Sequence, residues 1–355
     1  MSYSIISKKL PSIADLQQEL PATTDIIQQV SQDRIEVNNI LTGIDDRKIL
    51  IIGPCSAWPF DAVLNYADQL STIIQQLNLT KKFKIILRAY MQKPRTTHGW
   101  AGPMVQVEPW LNKSNIYDGL YYARRLMLQL ITKGFAVANE ILYPSMPFNI
   151  ELLSWMAVGA RSSENPEHRI FASMQDFAVG IKNPTSGAID IGINSIIAAQ
   201  KSHYHIINDT TTGNMLEIVT NGNPYAHLVL RGGKINNTSI INYTPTDLKF
   251  AINKMQINSL VNPSIIIDFN HDNSAIFGVK NYKNQANSLI ETLNILSDDI
   301  ILNKYVKGFM LESFIHDGKQ DITKTTPEQV NLSGLSITDE CLGLEATYEL
   351  LKKLL

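Results

Sequence analysis

Short apolar runs alternate with longer amphipathic stretches along most of the chain. The first run is Lys48-Ile49-Leu50-Ile51-Ile52, stopped by Gly53-Pro54 and followed at once by Cys55-Ser56. A run this short, rich in isoleucine and ended by a turn pair, predicts a buried strand. From Asp61 to Asn78 the apolar positions Val63, Leu64, Ala67, Leu70, Ile73, Ile74 and Leu77 recur at helical spacing. The same alternation predicts strands at 84–87, 135–138, 157–160, 178–181, 227–230, 264–267 and 308–311. Helical patterns separate most of them, at 118–133, 148–156, 187–200, 245–256, 282–296 and 342–355, with 164–176 the weakest. Residues 205–219, polar and β-branched around Gly213-Asn214, break the alternation and predict a hairpin inserted before the sixth strand, within about 203–222. Parallel strands alternating with helices in this number predict a (β/α)8 barrel, whose chemistry sits at the strand C-terminal ends. The barrel is expected over residues 46–355. Residues 1–45 form an N-terminal arm, with a polar helical stretch from residue 24 to 41, expected to pack outside the main core or against a partner subunit. An open doubly wound sheet fits a similar alternation, but the chain has no GxGxxG or GxxxxGK[ST] run, which disfavours its nucleotide-binding versions.

At 355 residues the chain is long enough for one such barrel or two ordinary domains. Its net charge of −2 gives no reason to expect nucleic acid as a partner, so local clusters of Arg and Lys carry more information than they would in a basic protein. Two cysteines, Cys55 and Cys341, are too few for a disulfide framework and suit a reducing compartment. The opening MSYSIISKKL lacks the apolar stretch of a signal peptide, and no apolar run approaches bilayer-spanning length. A cytoplasmic protein with no membrane partner is expected.

The residues at or just past the predicted strands are Cys55, Arg88, Glu140, Arg161, Lys182, Arg231, His271 and Glu312, with Asp339 following in Ser336-Ile337-Thr338-Asp339. In a barrel they converge on one mouth. Arg88, Arg161, Lys182 and Arg231 are joined there by Lys93 and Arg95 of the run Lys93-Pro94-Arg95-Thr96-Thr97. Arginine offers phosphate a rigid fork of donors, lysine a point charge, and threonine a hydroxyl. Any one of these residues alone reads as a surface charge. Six together repel one another unless anions sit between them, and two phosphates with a carboxylate would balance them. Gly232-Gly233 after Arg231 would let backbone N–H groups approach an anion. The second set, Cys55, His271, Glu312 and Asp339, mixes sulfur, nitrogen and oxygen donors. That mixture suits a divalent transition metal such as Mn, Fe, Co or Zn better than Ca or Mg. Cys55 alone would read as a small buried hydrophobe and His271 alone as a core histidine. Cys341 is left as structural.

These residues lie within a series of motifs that occur in order: GPCS at 53–56, KPRTT at 93–97 followed by Gly99-Trp100, GAR at 159–161, IKN at 181–183, LRGG at 230–233, IDFNH at 267–271, LES at 311–313 and SITD at 336–339. As a set they resemble the class I 3-deoxy-D-arabino-heptulosonate 7-phosphate (DAHP) synthases, from the arm to the last helix. The resemblance implies condensation of phosphoenolpyruvate with erythrose 4-phosphate at the entry to the shikimate pathway. It places Arg161, Lys182 and Arg231 on the phosphoenolpyruvate phosphate, Arg88 and Lys182 near its carboxylate, and Lys93, Arg95 and Thr96 on the aldose phosphate. It makes Cys55, His271, Glu312 and Asp339 the metal ligands, with Glu140 a candidate for orienting water. It also implies a homodimer or homotetramer assembled through arm and hairpin, with an aromatic amino acid as a candidate effector. The chain departs from the pattern at Ala57-Trp58-Pro59, across 101–109, at Pro184, at Asp272 and at Ile276, where the family carries a lysine. Several departures surround the aldehyde side. Two alternatives follow: the same chemistry on another phosphorylated aldose, or a non-catalytic paralogue that binds phosphoenolpyruvate or an aromatic amino acid.

Overall fold

The computed structural model describes residues 7–95, 99–111, 113–209, 212, 214–323 and 326–355. Its centre is a closed barrel of parallel strands: β1 (Lys48–Gly53), β2 (Phe83–Arg88), β3 (Ala136–Glu140), β4 (Trp155–Val158), β5 (Val179–Lys182), β6 (Ala226–Leu230), β7 (Ile265–Asp268) and β8 (Val306–Glu312). Each strand pairs with its neighbours in sequence, and β8 closes on β1 in the register Ile49 to Gly308 through Gly53 to Glu312. Helices α1 (Ile13–Glu19) and α2 (Thr24–Thr42) precede the barrel. Around it lie α3 (Phe60–Gln76), α4 (Ile116–Thr132), α5 (Pro166–Ser173), α6 (Ile189–Ala199), α7 (Pro245–Ile257), α8 (Asn284–Asp298), α9 (Ile300–Tyr305) and α10 (Leu344–Lys352). The (β/α)8 expectation holds.

The strands read as unbroken apolar runs because both faces are buried. Ile49, Ile51, Ile86, Ala136, Ala138, Trp155, Ala157, Val229, Ile266 and Met310 fill the barrel. Their neighbours Leu50, Ile52, Leu87, Val137, Met156, Leu228, Ile267 and Leu311 pack outward beneath the helices. Gly180 belongs to this packing, since a Cβ there would lie 2.2 Å from the Trp155 ring.

Two expectations need correction, on the arm and on residues 148–156. The arm does not stay outside the core: Val37, Ile40 and Leu41 of α2 join the barrel-interior cluster and close its lower end. Lys84 ties that helix down through Asp33 at 2.6 Å and Glu36 at 3.1 Å, and Arg34 donates to the Leu153 and Ile150 carbonyls. Residues 148–156 are not a helix but one 3-10 turn, Ile150–Leu152, running into β4 two residues earlier than expected. Asn149 at its start is left-handed (φ 60), which blocks helix entry, and the apolar run Trp155–Val158 suits either period. Residues 164–176, the weakest helical pattern, contain a real helix, α5, with Asn165 capping the Glu167 N–H and Pro166 in the first turn. Two small hairpins at the mouth, 233–240 and 275–280, were not anticipated. The inserted hairpin stands as expected, pairing Tyr204–Asn208 with Met215–Val219, while Gly213 at its turn lies outside the described residues. Among the described residues no helix is long and apolar enough to cross a membrane.

If α2 plugs the barrel, Ile40→Ala should lower unfolding stability by about 2–5 kcal/mol, as for other fully buried large-to-small changes. Ile35→Ala, on the same helix but 50% exposed, should change it by less than about 0.5 kcal/mol. Urea titrations of both variants make the comparison, and equal midpoints would mean the plug contributes nothing to stability.

Candidate active site

Side chains alternate across a strand, so the position two beyond an interior residue faces inward as well. Following Ile86, Ala138, Gly180, Val229, Ile266 and Met310 upward leads to Arg88, Glu140, Lys182, Arg231, Asp268 and Glu312. The last inward layer is therefore charged. The same count on β1 and β4 reaches Gly53 and Gly159. A Cβ at Gly159 would lie 2.1 Å from Glu140 Oε1, so glycine there makes room for the carboxylate.

The charges in this layer pair across the barrel. Arg88 Nη2 donates to Glu312 Oε1 at 2.8 Å, and Lys182 Nζ to Asp268 Oδ2 at 3.0 Å. Just above, Arg231 Nη1 donates to Asp272 Oδ2 at 2.8 Å, and Ser239 holds the other oxygen of that carboxylate. Burial opposes the charge on Asp268, but Lys182 and His271 outweigh it and hold the carboxyl well below the usual carboxylate range. Arg88 also lies over the Tyr90 ring, 4.0 Å from its centroid. The six cations therefore do not face one another bare, as the sequence suggested, because three have carboxylates of their own.

A positive excess remains. A cavity of about 730 Å³ at the mouth is lined by the six expected cations together with Lys234 and Lys280, against the carboxylates of Glu140, Asp272 and Asp339. Two buried polar atoms on its wall, the Tyr90 hydroxyl and Glu140 Oε1, have no hydrogen-bond partner among the described residues. Buried polar atoms are seldom left so unless a ligand or water meets them. Thr96 lies outside the described residues. Gly232 does not present a free N–H group in the way expected. The Gly232 N–H is taken by Asn242 Oδ1 at 2.8 Å, and a Cβ at Gly232 or Gly233 would strike neighbouring backbone.

Beside this cavity Cys55, Glu312 and Asp339 bring a sulfur and two carboxylate oxygens within 4.8 Å of one another. His271 stands apart from that trio, with Nδ1 2.9 Å from Asp268 Oδ2. The Gln285 side chain exchanges hydrogen bonds with the backbone of Glu312. Asn270 Nδ2 donates to Glu312 Oε2, and Lys93 Nζ contacts both the carbonyl and the sulfur of Cys55. Burial, with Glu312 adding to it, pushes the Cys55 thiol above its usual range. A thiol beside two carboxylates would ionise readily only with a cation among them, so the donor set fits a divalent transition metal.

Sequence reasoning missed Tyr90, Lys234 and Lys280. A lysine does stand near the site four residues beyond Ile276. The hairpin 275–280, turning at Phe277-Gly278, carries Lys280 Nζ to 3.5 Å from Asp339 Oδ1. The turn glycine between Ile276 and Val279 was the available signal.

Fold and site together define a (β/α)8 barrel with an anion-binding mouth next to a mixed thiol–carboxylate donor cluster. Residues 21–352 match the model of the DAHP synthetase I family, and the chain belongs to that family. It is 34% identical over 351 residues to the phospho-2-dehydro-3-deoxyheptonate aldolase of Haemophilus influenzae, covering 98% of this chain and 91% of that protein. It is also 34% identical to the Trp-sensitive enzyme of that name from Escherichia coli K12, covering 98% and 94%. The structure of phospho-2-dehydro-3-deoxyheptonate aldolase from Francisella tularensis SCHU S4 superposes with a TM-score of 0.86 at 30% identity, covering 98% of each chain.

Asp268→Asn would leave Lys182 buried without its counter-charge, and a loss of about 3–5 kcal/mol in unfolding stability is expected at pH 7. Because the folded state holds Asp268 below its unfolded pKa, its contribution is present above about pH 4 and falls away as acid protonates the unfolded chain first. Denaturant titrations from pH 7 to pH 3 should show the gap between wild type and variant narrowing below about pH 4. A gap that stays constant would remove this pair from the acid response.

Proposed function

We propose that this chain condenses phosphoenolpyruvate with erythrose 4-phosphate to give DAHP and phosphate. The observation that carries the reading is the cation-lined cavity abutting a cluster of one sulfur and two carboxylate oxygens. Arg88, Arg161, Lys182 and Arg231 would hold the donor's carboxylate and phosphate. Lys93, Arg95 and Thr96 would hold the acceptor phosphate, and Lys280 and Lys234 add charge at the rim. Two mutually repelling anions held in attack geometry gain roughly 7–11 kcal/mol from proximity. A divalent ion of the Mn, Fe, Co or Zn kind would be held by Cys55, Glu312 and Asp339, joined by His271, whose Nδ1 is oriented by Asp268. When bound, such an ion supplies a Lewis acid for the aldehyde. The enol carbon of the donor forms the new carbon–carbon bond. Water adds to the carbon left cationic, and the carbon–oxygen bond to phosphate breaks. Glu140, with one oxygen unpartnered, is placed to orient that water.

A second reading keeps the donor chemistry and changes the aldose. It draws support from the acceptor loop, where Arg95 Nε donates to the carbonyl of Trp100 at 2.7 Å and Trp100 packs on Trp58, which stands in a stretch that departs from the family pattern. For assembly, we carry forward a homodimer or homotetramer using the inserted hairpin. Tyr204, Ile206, Met215 and Val219 there are all more than half exposed, which a solitary hairpin would not favour.

Chelation should abolish turnover, with Mn²⁺, Fe²⁺ or Co²⁺ restoring it. Cys55→Ala should lose most metal affinity in equilibrium dialysis while its circular dichroism is unchanged. Full activity in excess chelator would end the metal assignment.

Erythrose 4-phosphate should give the highest kcat/KM in a panel with ribose 5-phosphate, arabinose 5-phosphate and glyceraldehyde 3-phosphate. Another aldose ahead by tenfold, about 1.4 kcal/mol of transition-state binding, would put the second reading first.

A further inference from the structure

Behind the acceptor loop, outside the barrel mouth, lies a separate cavity of about 790 Å³. Six aromatic side chains line it: Trp58, Phe60, Trp110, Tyr117, Tyr121 and Tyr122. They pack in pairs, with Trp58 edge-on to Trp110 at 6.0 Å, Phe60 edge-on to Tyr122 at 5.3 Å and Tyr117 tilted against Tyr121 at 5.2 Å. The indole N–H of Trp58 is satisfied by the Val107 carbonyl and the Tyr122 hydroxyl by the Ala57 carbonyl. Their polar ends are therefore engaged elsewhere. Four exposed carboxylates surround the opening, Glu19, Asp61, Glu108 and Asp118, with Arg125 the single basic residue on the lining. Glu19 is held in place by the Tyr121 hydroxyl at 2.8 Å.

Aromatic walls under a carboxylate rim match a cation with an apolar body, because ring faces carry negative potential and the rim supplies the counter-charge. One ring here already takes a cation from the chain itself: Lys8 Nζ lies 4.3 Å from the centroid of Tyr117. We propose that this cavity is a binding site for an aromatic amine, an ammonium ion on a flat apolar body. A ligand that also carries a carboxylate would meet four like charges and one guanidinium, so amines are favoured over amino acids. The volume is right for one small molecule.

The site is joined to the acceptor loop. Trp58, on its wall, packs edge-on against Trp100 at 6.1 Å, and the Trp100 carbonyl accepts the Arg95 Nε–H. A guest against Trp58 and Trp110 therefore acts on the residue that carries Arg95. This coupling, unlike the binding itself, rests on Arg95 serving the acceptor as proposed above.

Phenethylamine is the probe, with 2-phenylethanol as its neutral counterpart and L-phenylalanine as its carboxylated one, titrated by calorimetry into the full chain. Phenethylamine should bind saturably at about millimolar or tighter, and 2-phenylethanol at least about fivefold more weakly, the weight of a cation–π contact near 1 kcal/mol. Trp110→Leu should weaken phenethylamine by about fivefold or more. Glu108→Gln, an exposed change that leaves the packing intact, should weaken it by about twofold. Any L-phenylalanine binding should be insensitive to Trp110→Leu. Equal affinity for amine and alcohol, or an amine affinity untouched by both substitutions, would overturn the site. In turnover assays phenethylamine should shift KM for the aldose phosphate by about twofold or more and leave that for phosphoenolpyruvate in place. An unmoved acceptor KM would overturn the coupling. The calorimetry needs no turnover, so it tests binding even in a chain inert toward every aldose.

Discussion

Arg88 meets Glu312, and Lys182 meets Asp268, inside a closed barrel where water is scarce. The working end of the molecule depends on those charges cancelling in pairs. A single buried charge without a partner costs several kcal/mol, whereas a paired one is tolerable and holds its partner in a fixed place. Two pairings cross the barrel and a third, Arg231 with Asp272, caps it. They leave a surplus of positive charge at the mouth and little freedom for the groups that bear it. That surplus suits the cavity to an anion, and the pairing fixes where the charged groups stand.

The pairs can exist only because the strand register cannot slip. One residue of shift would turn every inward side chain outward, placing six charges under the helices. Closure of β8 on β1 removes the last strand edge, and α2 seals the opposite end with Val37, Ile40 and Leu41. The interior thus grades from apolar at the plugged end to charged at the open end along the same inward rows. Gly159 and Gly180 are where that gradient needs space, one for Glu140 and one for Trp155.

This logic explains how far the sequence could be read. The strands were legible because burial on both faces makes them unbroken apolar runs. The charged layer was legible because six of the eight runs end in or directly before a charge, which a solvent-facing strand end has no need to repeat. The partners of those charges were less so. Asp268 sits three residues before His271, inside the strand, and only the inward count separates the carboxylate that pairs with Lys182 from the histidine outside the trio. Asp272 looked like a departure from the family and proves to be the counter-charge of Arg231. The arm helix reads as polar because much of its surface is exposed, so its short buried stripe does not stand out. Lys280 was hidden because it reaches the cavity only through the short hairpin 275–280, which the alternation of strands and helices does not signal.

The two halves of the site rest on different supports. The cations proposed for the donor, Arg88 and Lys182, stand at strand ends, and Arg231 directly follows one, so their positions are set by the barrel backbone and by carboxylate partners. Lys93 and Arg95, proposed for the acceptor, stand on a loop held by Cys55, Ala101 and the Trp100 carbonyl and, through Trp100, by Trp58. A substitution at a strand end must preserve the charge balance of a buried layer. One in the tryptophan wall changes a separate aromatic cluster and leaves the charge balance of that layer alone.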